Sequence, residues 1–181
     1  MIFTGDPYEN LERDISTSIE AQAKYHCGIT IDPLICVRDD SEETKKMCKD
    51  IETVSGKYPG LKTAPITVTK VEKDFDPYTG TLRLDIYLDD MNGELMGDTV
   101  NEYEEQGFPV SLEYGSYGAL DCSNIEDGIY YWKSDTENII KCEISLSSVN
   151  DVEENFLKIN LDYMYSIKES KSVMVRHNKN S

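Results

Sequence analysis

The sequence has few basic residues and no long apolar run. It contains 18 Lys and Arg against 35 Asp and Glu, which gives a net charge of −17 over 181 residues. Contacts to a nucleic-acid backbone need clustered Lys and Arg, so we predict no direct binding of that kind. No stretch approaches the roughly 20 apolar residues that a membrane-spanning helix needs, so no membrane partner is expected. The acidic balance fits a basic protein surface, a cation or plain solubility.

Motifs that carry catalytic chemistry are also missing. The chain has two histidines, and His26 stands beside Cys27, so their side chains diverge in regular structure and do not form a nucleophile–base pair. His177 lies near the end of the chain. No P-loop, dinucleotide-binding glycine motif, nucleophile elbow or zinc-protease motif occurs. We therefore predict a protein that is not an enzyme and that has no catalytic residue, cofactor or metal site.

The five cysteines do not follow the spacing of a metal site. Their number is odd and no pair has two residues between its members (Cys27, Cys36, Cys48, Cys122, Cys142). Reduced, mostly buried thiols in a cytoplasmic protein are the prediction, and a disulfide scaffold is not expected. The first residues, MIFTGDPYENLERD, lack the basic region and apolar run of a signal peptide, which fits the same compartment.

Capping residues and apolar spacing predict helices in the first part of the chain. The first helix begins at Asp6 and Pro7 and ends at Gly28, with an apolar stripe at a spacing of four (Leu11, Ile15, Ile19, Ala23). The second begins near Asp40, ends at Gly56, and has a narrow stripe (Met47, Ile51, Val54). A short third helix is predicted near residues 98–106. Between the first two, ITIDPLICV is interrupted by Pro33 and predicts an extended segment or edge strand.

Two hairpins are predicted from alternating apolar residues. PITVTKVEK and TLRLDIYL form the first, joined by a turn at Pro77 and Gly80. The acidic turn does not match a calcium loop, because Tyr78 and Thr79 stand where the loop needs an Asp or Asn and a Gly. IIKCEISL and FLKINLDYMYSIK form the second hairpin, joined by a turn in SSVNDVEEN.

Residues 84–132 contain twelve acidic residues and no Lys or Arg. Tyr with little Lys is typical of interface cores, so this stretch is either a docking face for a basic partner or a solvated surface. The candidate interface residues are Asp89, Asp90, Glu94, Asp98, Glu102, Glu104, Glu105, Tyr114, Tyr117, Tyr130, Tyr131 and Trp132.

The patterns together predict one α+β domain over residues 1–171. Its N-terminal helices would pack on a mainly antiparallel sheet built from two long hairpins. An acidic Tyr/Gly-rich insert would occupy about 89–132, and residues 172–181 would form a flexible C-terminal tail.

Two segments resemble the tail-terminator (tail-completion) proteins of long-tailed bacteriophages. They are APITVTKVEKDFDPYTGTLRLDIYL and FLKINLDYMYSIKES, which together cover about a third of the chain. The family usually has one clear helix between its hairpins, where this chain has the acidic segment. The resemblance implies a structural virion protein of the tail or neck, made in the host cytoplasm. Such proteins form a homo-oligomeric ring, commonly a hexamer, that contacts tail and connector proteins.

Two other function classes remain open. The first is a small acidic inhibitor, such as an immunity protein or a phage-encoded blocker that mimics nucleic-acid charge, with 84–132 as its binding face. The second is an enzyme that uses carboxylates and a metal. A salt-sensitive one-to-one complex with a basic enzyme would favour the first, and a thermal shift with divalent ions would favour the second.

Overall fold

The protein is all-β in the computed structural model. The model describes residues 14–39, 41, 46–54, 57–58, 61, 64–90, 94–96, 98–99, 106–133, 136–146, 149 and 152–175. Those residues form fourteen strands and a short 3-10 turn at Gly115–Tyr117. The predicted α+β fold is therefore wrong, since no N-terminal helix packs on a sheet in this part of the chain. None of its helical segments has the length and apolar character needed to cross a membrane.

The strands form two antiparallel sheets. In chain order they are β1 Ile15–Ile31, β2 Leu34–Arg38, β3 Ile51–Thr53, β4 Ile66–Asp76, β5 Thr81–Asp90, β6 Glu94–Met96, β7 Asp98–Thr99, β8 Gln106–Tyr114, β9 Gly118–Ala119, β10 Asp121–Cys122, β11 Ile125–Glu126, β12 Ile129–Trp132, β13 Asn138–Ser145 and β14 Val152–Val175. A nine-stranded sheet runs β1-β14-β8-β12-β11, with β2 and β6 also paired to β14, and β7 and β9 to β8. A five-stranded sheet runs β10-β13-β5-β4-β3.

The chain divides into two compact units, each with its own residues. Residues 24–166 form one unit, here called the body. The other unit consists of residues 1–23 and 167–181. Its described part, residues 14–23 and 167–175, consists of Asp14, the first half of β1 and the last nine residues of β14, and is here called the ribbon.

The core of the body lies between the two sheets. Alternate residues of β14 are buried on one side, and alternate residues of β5 on the other (Leu157, Ile159, Leu161, Tyr163; Leu82, Leu84, Ile86, Leu88). The Tyr163 hydroxyl accepts a hydrogen bond from the Ile66 N–H at 3.0 Å and donates one to the Ile66 carbonyl at 3.2 Å. Because Tyr163 belongs to β14 and Ile66 to β4, this side chain joins the sheets as well as filling the core.

The predicted hairpin of residues 66–90 is confirmed. β4 and β5 pair along their whole length, with one irregularity between Val68 and Lys70. At the turn, the Asp76 carboxylate accepts a hydrogen bond of 2.9 Å from the Tyr78 N–H. Gly80 has a φ of +67°, and a Cβ at this residue would lie 2.7 Å from the Leu146 carbonyl oxygen. The acidic turn is therefore held by local hydrogen bonds and by a glycine that no other residue could replace without strain.

The first predicted helix is a strand in the part that the model describes. β1 runs from Ile15 to Ile31 and passes through Gly28 without a break. A spacing of four fits the helical repeat, but it also fits the repeat of two in a strand. Between Ile15 and Ala23, Thr17 and Ala21 extend the series at a spacing of two, which favours the strand. Asp6, Pro7 and Leu11 lie outside the described residues. The segments on either side of Pro33 are extended, as predicted.

The other two predicted helices and the tail also differ from the structure. Met47 lies in a turn and is 66% exposed, and Ile51 begins the short strand β3. Asp40 and Gly56 lie outside the described residues. Near 98–106, Asp98–Thr99 forms β7 and Gln106 begins β8, while 100–105 are not described. β14 extends to Val175, so residues 172–175 of the predicted tail are strand.

The predicted second hairpin is wrong, although both of its segments are strands. β13 pairs with β5 and β10 in the five-stranded sheet. β14 pairs with β1, β2, β6 and β8 in the nine-stranded sheet. The chain therefore changes sheets between β13 and β14. Strands that follow one another in the chain usually pair. Here β13 and β14 instead belong to different sheets, and each buries its apolar face within its own sheet's packing.

Four of the five cysteines form disulfides, contrary to the sequence prediction. Cys36 of β2 is joined to Cys48, and Cys122 of β10 to Cys142 of β13. Cys122 and Cys142 are direct partners in the antiparallel register. Cys27 is the free thiol and is half-buried. Spacing along the sequence gave no sign of these pairs, because they are set by the pairing of distant strands.

Candidate assembly surface

The ribbon is a two-stranded antiparallel segment. β1 hydrogen-bonds to β14, and the two strands run in opposite directions, since Ser16 lies beside Ser172 and His26 beside Asp162. The hydroxyl oxygens of Ser16 and Ser172 are 3.2 Å apart. A two-stranded ribbon is marginally stable in water by itself, and three or more strands or a covering layer are usually needed. Such a segment therefore needs something to pack against.

The two faces of the ribbon differ in character. One face, here called the odd face, is mostly apolar (Ile15, Thr17, Ile19, Ala21, Ala23, Ile167, Glu169, Lys171, Val173, Val175). The other face is mostly Ser, Glu, Gln and Lys. On the odd face, Ile19 is 59% exposed and Ile167 is 42% exposed. The odd residues of β14 are buried as far as Tyr165, so the apolar pattern of this strand continues beyond the part whose side chains are covered. Exposed, contiguous apolar residues of this kind typically mark an interaction site.

Charge is distributed unevenly between the two units. Residues 1–23 and 167–181 contain five basic and six acidic residues, for a net charge of −1. The body carries the remaining −16. A contact through residues 1–23 and 167–181 would therefore bring together segments of low net charge.

Two of the predicted interface tyrosines lie in the core instead. Tyr114 is fully buried, and its ring stacks against Tyr117 with centroids 6.0 Å apart. Tyr130 is 3% exposed, and its ring meets Phe108 edge to face. Burial raises the pKa of Tyr130 to about 12. Neither side chain is available to a partner, so their assignment to an interface is corrected. They supply apolar area to the core, as buried aromatic residues usually do.

The other predicted interface residues that the structure describes lie on several strands of the two sheets and in the 3-10 turn. Tyr117 is half-buried, and its hydroxyl donates a hydrogen bond of 2.9 Å to Glu153. Tyr131 and Trp132 are half-buried on β12, and Asp89 and Asp90 are exposed at the end of β5. Glu94 and Asp98 lie in β6 and β7, and the positions of their side chains are not described. Glu102, Glu104 and Glu105 lie outside the described residues. Asp98 and Tyr131 both pair with Gly107 of β8, from its two sides, so these two residues lie on strands that flank the same strand. The acidic interface stays a prediction.

Two clefts of the body contain titratable side chains. One is lined by the Cys36–Cys48 disulfide, Arg38, Asp50 and Lys73. The Lys73 ammonium donates a hydrogen bond to the Cys36 carbonyl, and burial lowers the pKa of Lys73. The lysine nitrogen is thus engaged by the backbone, and its role there is structural.

The second cleft contains the free thiol. It is lined by Tyr25, Cys27 and Tyr58, among others. Burial raises the pKa of Cys27, although a hydrogen bond with Tyr163 opposes this, so the thiol is not activated as a nucleophile. His26 points instead to Asp162, and both side chains are exposed. Over the described residues, no group of three or more His, Cys, Asp and Glu side chains could hold a metal ion.

The ribbon was not predicted from the sequence, although its signal is present there. Ile15, Thr17, Ile19, Ala21 and Ala23 alternate with polar residues over the whole first half of β1. This is the period of a half-buried strand. The helical interpretation rested on every second member of that series.

Comparison with known proteins adds no relative. No protein-family model matches the sequence, and searches of curated proteins and of solved structures give no significant match. The function must therefore be inferred from the chain itself, and the ribbon is the feature that offers a surface for assembly.

Proposed function

We propose that the protein is a structural, non-catalytic subunit that assembles with copies of itself through the ribbon. The observation that carries this proposal is the exposed odd face of a two-stranded segment, centred on Ile19 and Ile167. Burial of apolar surface contributes about 25 cal/mol per Å², so a subunit that covers these residues gains stability that the isolated ribbon lacks. The near-neutral charge of residues 1–23 and 167–181 supports self-association in an otherwise acidic chain.

The setting that the sequence resemblance suggests is a bacteriophage tail or neck. A virion subunit that contacts tail and connector proteins needs edges and surfaces rather than an active site. The resemblance now depends on the strand segments alone, because the N-terminal helix of the tail-terminator family is replaced by β1 in residues 15–23. A tail-terminator ring is therefore the specific form of the proposal, and self-assembly through the ribbon is its general form.

The experiment that tests self-assembly is the mass of the purified full chain in solution. Light scattering behind a sizing column should give an oligomer at micromolar concentration. Ile19→Asp should convert it to a monomer, because a charge on the odd face would have to be buried. Tyr78→Asp is the matched control, since Tyr78 is 95% exposed at the β4–β5 turn of the body. A monomer for the unmodified chain over the whole concentration range would overturn the proposal.

The charge of the body favours a second candidate, an acidic inhibitor of a basic protein. A net −16 over residues 24–166 gives a field that would attract a positively charged groove. In this case the unmodified chain would be a monomer and would form a one-to-one complex that weakens with salt. Reversing Glu102, Glu104 and Glu105 to Lys would weaken such a complex without unfolding the chain. An unchanged complex would remove this candidate.

A further inference from the structure

We infer that β1 pairs in antiparallel fashion with β1 of a second copy, about a two-fold axis at Ile19. This inference deepens the proposed self-assembly and rests on it. The candidates for such a contact are the edges of the two sheets and the two faces of the ribbon. The edge of β1 is favoured by its length, its small number of protective residues and its self-complementary sequence.

Among the strands that the structure places at the ends of the two sheets, β1 is by far the longest. It has 17 residues, whereas β3 has three and β10 and β11 have two each. Within the described residues, β1 hydrogen-bonds to β14 alone. Proteins usually protect an edge with short strands, charged residues or Pro. Residues 15–23 contain no Pro and one charged residue, Glu20, and Lys24 follows them. In contrast, residues 167–175 of β14 carry Lys168 and Lys171. The edge of β1 is therefore the one suited to a long intermolecular ladder.

The alternation of faces in β1 requires odd-numbered residues of one copy to lie opposite odd-numbered residues of the other. Directly opposite residues of an antiparallel pair have their side chains on the same face, and a shift by one residue moves every side chain to the other face. With Ile19 opposite Ile19 of the second copy, Thr17 meets Ala21 and Ile15 meets Ala23. The odd faces of both copies then lie on the same side.

The charged residues favour the register centred on Ile19 over the one centred on Glu20. In this register Asp14 of each copy lies opposite Lys24 of the other, and Glu20 lies opposite Ser18. A shift that centres the pair on Glu20 would place the two Glu20 side chains directly opposite each other, and like charges in that position are destabilising. The Ile19 register thus gives two opposite-charge pairs and no like-charge pair.

The pairing would turn two marginal ribbons into one four-stranded sheet, in the order β14-β1-β1-β14. Three or more strands with an apolar face are the usual requirement for stability. The contact is isologous and closes at two copies. This pairing joins the odd faces of the two copies into one larger apolar face and does not cover it. A larger ring or an assembly on a tail would use that face, and its building block would be a dimer.

Cysteine cross-linking of the full chain tests this register. In a Cys27→Ala background, single substitutions Ser18→Cys, Ile19→Cys, Glu20→Cys and Ala21→Cys are oxidised with copper phenanthroline and separated on a non-reducing gel. A disulfide forms only when the two Cα atoms lie within about 7 Å. Only Ile19→Cys meets its own copy directly, so its yield of covalent dimer should exceed the other three at least tenfold. Tyr78→Cys is the control for random collision, since Tyr78 is exposed in the body.

A charge exchange gives an independent readout of the same register. Asp14→Lys and Lys24→Asp should each weaken the dimer severalfold in sedimentation, and the chain with both substitutions should recover the original affinity. If the chain is oligomeric but no cysteine in 18–21 cross-links above the Tyr78→Cys control, the β1 pairing is wrong while self-assembly stands. A dominant cross-link at Glu20→Cys would overturn the Ile19 register. A monomeric unmodified chain would overturn the proposed function itself.

Discussion

Removing the disulfide between Cys122 and Cys142 should lower the free energy of unfolding by about 3 kcal/mol. The bridge joins residues 20 positions apart, and closing a loop of that length removes about 11 cal/mol/K of chain entropy from the unfolded state. The Cys36–Cys48 bridge closes a separation of 12 and should contribute a similar amount. Together they account for a large share of the roughly 5–15 kcal/mol that stabilises a typical domain.

Urea unfolding of the variant with Cys122→Ala and Cys142→Ala measures this contribution. Alanine is chosen because Cys142 is buried and a serine hydroxyl would be left without a partner. Cys27→Ala is the matched control, because Cys27 is the free thiol and forms no bridge. With a reductant present, the unmodified chain and the double variant should unfold at nearly the same urea concentration.

The number of reactive thiols shows whether the two disulfides form. A chain purified without reductant and unfolded in urea should expose one thiol, that of Cys27. In the folded chain this thiol should react slowly, since burial raises the pKa of Cys27. Five reactive thiols in the unfolded, unreduced chain would show that the bridges do not form, and the 3 kcal/mol estimate would have no basis.

Three further changes probe the core. Leu84→Asp should abolish soluble folding, because Leu84 is fully buried. The control, Arg83→Asp on the exposed face of the same strand, should be tolerated. A soluble Leu84→Asp chain with native circular dichroism would refute the β4–β5 register. Tyr163→Phe should cost about 2 kcal/mol in urea unfolding by leaving two backbone groups unpaired, and an unchanged midpoint would deny the bridge between the sheets. Burial raises the pKa of Tyr130 from 10.0 to about 12. The contribution of its neutral hydroxyl to the free energy of unfolding is therefore fully present below pH 10 and is lost as the pH rises through 12. Tyr130→Phe should make the melting temperature less sensitive to alkaline pH, and an identical pH profile would argue against this burial.

The sequence predicted strands well where alternation was unbroken and turn residues were present. The hairpin of residues 66–90 is the clear case, since β-branched and apolar residues alternate on both sides of Pro77 and Gly80. Residues 15–23 were mispredicted because Ile15, Ile19 and Ala23 satisfy both periods. The intervening Thr17 and Ala21 decide for the strand, since they extend the apolar series at a spacing of two.

Features that depend on distant pairing could not be predicted. Nothing local in IIKCEISL indicates that β13 pairs with β5 rather than with β14, because its alternation is satisfied by either partner. The Cys122–Cys142 bridge follows from that same pairing, which places β10 beside β13. The burial of Tyr114 had a local signal, since Phe108, Val110 and Leu112 alternate with it. The acidic composition around Tyr114 favoured a surface position, although the alternation of apolar residues already indicated that its face is buried.

Salt should strengthen the association of the chain with itself, and this result separates the two candidate functions. Two copies that each carry −17 repel one another, and raising the salt from about 0.1 M to about 1 M shortens the screening length from about 10 Å to about 3 Å. The opposite-charge pairs between Asp14 and Lys24 are solvent-exposed and contribute at most about 1 kcal/mol each. Weakening these pairs by salt should therefore matter less than screening the repulsion between the two chains. Backbone hydrogen bonds and apolar contacts between the two ribbons depend little on screening. Sedimentation equilibrium should therefore give a tighter dimer at high salt, whereas a complex between the acidic body and a basic protein would weaken. An oligomer that dissociates at high salt would place the contact on charged residues of the body and would contradict assembly through the ribbon.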